Sequence, residues 1–125
     1  MEILGYIFAG LTSVIVLFQI ALAAGVPWGS VSMGGKFPGK YPPKMRFVAV
    51  VNALILIFIA LIALLRAGIV LYEYFNISKY AIWGVVAFTV LSLFLNLITP
   101  SKWERRIWAP VVFVMLITSA IIAFS

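Results

Sequence analysis

This chain of 125 residues has no cysteine and no histidine. The first absence rules out a disulfide framework, a thiolate metal site and a thiol nucleophile. The second removes the commonest metal ligand and general base. Acids are nearly as scarce, with only Glu2, Glu73 and Glu104 in the whole chain. Acid–base chemistry needs a titratable group beside its substrate, so the reading leans away from an enzyme, and no catalytic residue, metal or cofactor is expected. Glu104, set among Lys102, Arg105 and Arg106, reads as one member of a solvated ion-pair cluster. Glu73, flanked by Tyr72 and Tyr74, is the one acid that invites a test.

Charge of either sign is rare, at 10% of residues, while 66% are hydrophobic. A soluble domain carries about 25% charged residues. Four long intervals lack any charge: Ile3–Gly35, Phe47–Leu65, Tyr80–Ser101 and Ile107–Ser125. Each holds enough apolar residues to cross a hydrocarbon core of about 30 Å as helix. The expected fold is therefore all-α, an integral membrane four-helix bundle in a single domain. Its helices are expected near Ile3–Gly25, Lys44–Arg66, Lys79–Thr99 and Ile107–Phe124. Pro42 and Pro43 suit the start of the second helix, Pro100 ends the third, and Pro110 falls in the first turn of the fourth. The start "MEILGY" carries an acid where a signal peptide carries Lys or Arg, so the first segment is expected to stay as a helix.

The net charge of +6 flanks these spans, which points to orientation and anionic lipid rather than to nucleic acid. Lys36, Lys40, Lys44 and Arg46 in loop 1 join Lys102, Arg105 and Arg106 in loop 3, against Arg66 and Lys79 on the other side. The positive-inside rule then places loops 1 and 3 in the cytoplasm and both termini on the non-cytoplasmic side. Tyr6, Tyr72, Tyr74, Tyr80 and Trp83 would form an outer aromatic belt, and Trp28, Tyr41, Trp103 and Trp108 an inner one. Loop 2, "AGIVLYEYFNIS", is apolar and is expected on the outer membrane surface. Its Asn76-Ile77-Ser78 matches the glycosylation acceptor pattern only weakly.

No ionisable residue occupies the middle of a span, which removes the usual mark of a proton-coupled transporter. Small four-helix multidrug exporters share the length but use a glutamate embedded in their first helix, whereas Glu2 stands at the terminus. What remains inside is neutral. Gln19, Asn52 and Asn96 fall in the loop 1 half of three different helices and are expected in one polar layer. Thr12 precedes Gln19 by seven residues and Thr89 precedes Asn96 by seven, so each pair shares a helix face. Ser92 lies on the second stripe. The plainer explanation is helix–helix glue, which such groups supply at under ~1 kcal/mol each. Ala49, Ala53, Ala60, Ala63 and Ala67 would likewise allow close packing along helix 2. An offset of 77 lays Tyr6, Thr12 and Gln19 on Trp83, Thr89 and Asn96, a faint hint of duplication.

Loop 1, "VPWGSVSMGGKFPGKYPPKMR", is longer than a helix hairpin needs, since such connections take 2–8 residues. It holds four of the nine glycines and four of the six prolines. Gly34-Gly35 beside Lys36, Lys40 and Arg46 has the makings of an anion-binding nest, and Trp28 would pin the loop into the bundle mouth. Gly34 to Lys40 mimics P-loop spacing, but Tyr41 stands where Ser or Thr is needed and no strand precedes it. The run Pro27-Trp28-Gly29, four residues, Gly34-Gly35, then "PPKMR" resembles a group of small four-span bacterial membrane proteins with no assigned function. That likeness covers the first half of the chain and implies a bacterial-type plasma membrane and an ordered first loop.

Trp28, Gly34, Gly35, Lys36, Lys40 and Arg46 are thus the expected lipid-contacting residues. Gln19, Asn52, Asn96, Thr12 and Thr89 form the intramembrane polar set. The expected function is non-enzymatic: binding of a membrane lipid, an amphiphile, a membrane-protein partner or a second copy through an ordered cytoplasmic loop. The alternative is a small oligomeric transporter or pore with a neutral polar pathway.

Overall fold

The charge-poor runs become four helices in a computed structural model that describes residues 2–29, 37, 39–68 and 75–124, leaving aside the side chains of Phe75 and Trp103. They are α1 (Glu2–Ala24), α2 (Pro43–Arg66), α3 (Phe75–Ile98) and α4 (Lys102–Phe124), and no strand occurs among the described residues. Each is long and apolar enough to cross a membrane, the mark of a multi-pass membrane protein. At about 1.5 Å per residue, 23 or 24 residues reach roughly 35 Å. Large apolar side chains such as Leu17, Phe47, Phe58 and Phe94 stand mostly exposed around the outside, as lipid-facing positions do.

Two helix starts differ from the sequence expectation. α3 begins at Phe75, so Asn76, Ile77 and Ser78 form its first turn, with Ser78 buried. The acceptor-like triplet is therefore helical rather than a loop. α4 begins at Lys102, which shrinks loop 3 to Thr99–Ser101 and puts Pro110 inside the helix instead of in its first turn. The cause is a cap. Ser101 Oγ accepts the Glu104 N–H at 3.3 Å, and Thr99 Oγ1 accepts the Ser101 N–H at 3.2 Å. Ser-x-x-Glu is the sequence of a capping box.

Other ends follow ordinary helix chemistry. α1 stops in a Schellman turn, with Val26 N–H on the Ala21 carbonyl at 3.0 Å, Gly25 N–H on Leu22 at 3.2 Å, and Gly25 at φ 101°. Only glycine takes that conformation cheaply. Pro43 opens α2, where a missing N–H costs nothing.

α1 packs most extensively on α2 and α3 on α4, while α1 against α4 and α2 against α3 close the ring. Ala49, Ala53 and Ala63 of α2 are buried, as is Gly5 of α1, and Ala60 is half-buried. Small residues let backbones approach in lipid, where no hydrophobic force pulls helices together. Phe8, Ile59, Ala63, Ile82, Val85, Met115 and Ile122 fill the half of the bundle remote from loop 1. A second cluster of Leu22, Tyr41, Met45 and Ala49 seals α1, loop 1 and α2 together at the other end.

Candidate functional site

Between these two clusters the bundle is hollow. A cavity of about 570 Å³ is lined by all four helices. That volume lies within the roughly 300–1,000 Å³ of pockets that take drug-sized ligands. Along α3 it runs from Phe88 to Ile98, about 15 Å of helix. Met115, shared with the apolar cluster, closes one end, and Thr99 and Pro100 border the other.

Gln19 of α1, Asn52 of α2 and Asn96 of α3 all line this space, with Thr89 and Ser92. The three amides meet around a cavity, not in a hydrogen-bonded layer. Asn96 Nδ2 donates to the Ser92 carbonyl of its own helix at 2.7 Å. No other described residue gives a hydrogen bond to, or takes one from, the half-buried side chains of Gln19 and Asn52. An amide offers two donors and an acceptor oxygen, and leaving them unmet away from water costs about 1–3 kcal/mol. Thr89 donates to the Val86 carbonyl at 2.8 Å and so completes its bonding within α3. Thr12 donates to Phe8 at 2.7 Å, is buried, and stands away from the cavity.

The mouth is lateral. Among lining residues on the helices, those left exposed are Ile55 of α2 and Leu91, Leu95 and Ile98 of α3, at 42, 57, 51 and 59%. Lining residues of α1 and α4 are buried or half-buried. The opening thus follows the α2–α3 seam, on the flank that the exposed apolar side chains mark as facing hydrocarbon.

Glu104 also lines the cavity and is only 8% exposed. This corrects the expectation that the acid is solvated: Lys102, Arg105 and Arg106 are exposed, while Glu104 between them is buried. The sequence signal for it was Ser101-x-x-Glu104, which places an N3 side chain on the first turn of a helix.

An aromatic series roofs the site. Trp28 stacks on Phe18 with ring centroids 6.1 Å apart and planes 4° from parallel, and Phe18 meets Trp108 at 4.8 Å. Phe18 and Trp108 line the cavity, so Trp28 touches its wall from outside. Loop 1 is drawn together beneath this roof. Gly29 N–H donates to the Gly39 carbonyl at 2.9 Å, and a Cβ on Gly29 would overlap the Phe37 carbonyl oxygen. Arg46 is engaged internally: its Nε donates to the Tyr41 carbonyl at 3.0 Å, and its guanidinium lies against Gly25 at the end of α1. A cation there complements the helix dipole. Lys40 is exposed. Gly34, Gly35 and Lys36 lie outside the described residues, as does Glu73.

The fold is that of a four-helix membrane-spanning bundle with a laterally open cavity. Comparison of the chain with known protein families, with curated proteins and with solved structures finds no match.

Proposed function

We propose that this protein binds a membrane amphiphile in the bundle cavity, with the polar part of the ligand at the amides and its chain leaving through the α2–α3 seam. The observation that carries this reading is the pair of unmet amides, Gln19 and Asn52, on the wall of a cavity open to the lipid side. A polar headgroup drawn from the bilayer would satisfy them, as hydrocarbon would not. Loop 1 acts as the roof of this site, through Trp28 on Phe18, rather than as the site itself. The apolar cluster from Phe8 to Ile122 blocks the far half, which disfavours a continuous polar pathway through one copy.

The protein sits in a plasma membrane of bacterial type with loops 1 and 3 in the cytoplasm and both termini outside. Seven basic residues in loop 1 and at the starts of α2 and α4, against two on the other side, support this orientation. Because the chain has no cysteine, Glu2→Cys and Lys40→Cys report it directly. An impermeant maleimide added to intact cells labels the first and spares the second; the reverse pattern overturns the assignment.

The binding itself is tested by native mass spectrometry of protein purified in mild detergent. Wild type retains a small amphiphile, and the Gln19→Leu/Asn52→Leu variant loses it. Bare protein in both samples, or equal retention by both, overturns the proposal.

A further inference from the structure

The polar wall of the cavity is staggered in depth. Counted from the loop 1 ends of their helices at about 1.5 Å per residue, Asn96 lies about 3 Å in, Gln19 about 8 Å and Asn52 about 13 Å. On α3, Ser92 and Thr89 continue the polar lining inward from Asn96. The unmet groups are of both kinds. Gln19 and Asn52 each present amide protons and a carbonyl oxygen, and Asn96 keeps its oxygen after giving a proton to the Ser92 carbonyl. Charge is not offered in the same way. Among the described residues no lysine or arginine lines the cavity, and the one charged side chain there, Glu104, already has an interaction partner within the chain.

We infer that the cavity takes an uncharged single-chain amphiphile with a polyol head, of the kind a monoacylglycerol carries, in preference to a simple alcohol or a phosphate. This rests on the amphiphile-binding reading and names its ligand class. A hydroxyl both donates and accepts, so it pairs with either end of an amide. A lone hydroxyl has a single proton to give, whereas Gln19 and Asn52 present an oxygen each. Those two positions also differ in depth by about 5 Å, and a hydrogen bond reaches only about 3 Å. A head with hydroxyls on successive carbons and an ester carbonyl behind them meets both amides at their own levels. A charged head would leave water without a free counter-charge to receive it among the described lining residues. At about 570 Å³ the cavity holds such a head and the start of one chain, and the α2–α3 opening lets the rest lie in the bilayer.

Full-length protein in phosphatidylcholine nanodiscs is exposed to equal amounts of a monoacylglycerol, a long-chain alcohol and a lysophosphatidate of the same chain length, and retention is read by native mass spectrometry. Wild type is expected to retain the monoacylglycerol about tenfold better than either competitor, the worth of about one further hydrogen bond. Gln19→Leu and Asn52→Leu, made singly, each lower the preference over the alcohol to about twofold, because each removes one level of the polar wall. Alcohol retained by wild type as well as the monoacylglycerol overturns the polyol head. Lysophosphatidate retained as well overturns the uncharged one. Either result leaves amphiphile binding standing. A preference unchanged in both single variants overturns the assignment of the head to these amides. No probe retained by wild type overturns this inference and the amphiphile-binding reading together.

Discussion

The two halves of this bundle are built to different ends. The half remote from loop 1 is filled by a cluster of seven buried apolar side chains from all four helices, with Ser78, Thr118 and Ser119 buried in the same half. The loop 1 half is hollow and carries six neutral polar lining groups and a carboxylate. Lipid tails are as apolar as leucine, so helices in a membrane gain from contact only through packing and hydrogen bonds. The filled half uses the first of these. The hollow half forgoes packing and leaves two amides without partners among the described residues, so holding the helices together does not explain its composition. The difference teaches where to look for function, and it makes opposite predictions for substitutions in the two halves.

The largest effect is expected in the filled half. Phe8 is completely buried, and Phe8→Ala removes roughly 100 Å³ of side chain at about 24 cal/mol per Å³ of cavity left. The transfer contribution nearly cancels in lipid, so a loss of about 2–3 kcal/mol is expected from unfolding in mixed micelles. Ligand retention per folded molecule should be unchanged. A loss of retention at full folding would break the separation of the two halves.

Next comes the roof. Gly29→Ala must displace the Phe37 carbonyl, a backbone group that cannot rotate away. Overpacking of this kind costs about 1–3 kcal/mol, with the lower part of that range expected because a loop yields more readily than a core. Limited proteolysis across loop 1 should accelerate, and retention should fall as Trp28 leaves Phe18. Unchanged proteolysis would show that the Gly29–Gly39 clasp does not hold the loop.

These effects also show how far the sequence could be read. Charge-free runs announced four spans, because length and apolarity alone decide a crossing. The α3 start was lost because the apolar stretch before Lys79 has no charge step at Phe75; the α4 start was lost because "KWERR" looks like a polar loop although Ser101-x-x-Glu104 is a cap. That second miss hid Glu104 from the site, since an acid among three bases reads as solvated until the helix phase turns it inward. Gln19, Asn52 and Asn96 were legible as a set from helix position and depth. That they surround a space, without bonding to one another, depends on the distance between helices, which no periodicity encodes. Trp28-Gly29 signalled an ordered loop, but its aromatic partner Phe18 on α1 carries no mark of that role.

A third test reverses the sign of the first. Gln19→Leu and Asn52→Leu replace unmet amides with apolar groups of similar size, a change that is nearly neutral or stabilising when no partner is stranded. Stability should stay within about 1 kcal/mol of wild type or rise, while retention of the amphiphile is lost. A clear destabilisation would mean that these side chains bond across helices after all, and the plainer glue explanation would stand.

The smallest effect sharpens the comparison most. Thr12 and Thr89 are both completely buried, and each donates to a carbonyl of its own helix, at 2.7 and 2.8 Å. Neither bond crosses between helices, so Thr→Val at either place removes only a local back-bond, worth a fraction of the ~1 kcal/mol typical of a hydrogen bond. The two variants should unfold alike, within about 0.5 kcal/mol of wild type. They differ in position: Thr89 lines the cavity and Thr12 does not. Thr89→Val alters the cavity wall and should therefore weaken retention of the amphiphile about twofold, and Thr12→Val should leave it untouched. Because the pair is matched in residue type, burial and bonding, any difference in binding comes from the cavity alone. Equal binding by both would move the ligand's polar end away from α3, toward the Gln19 and Asn52 walls.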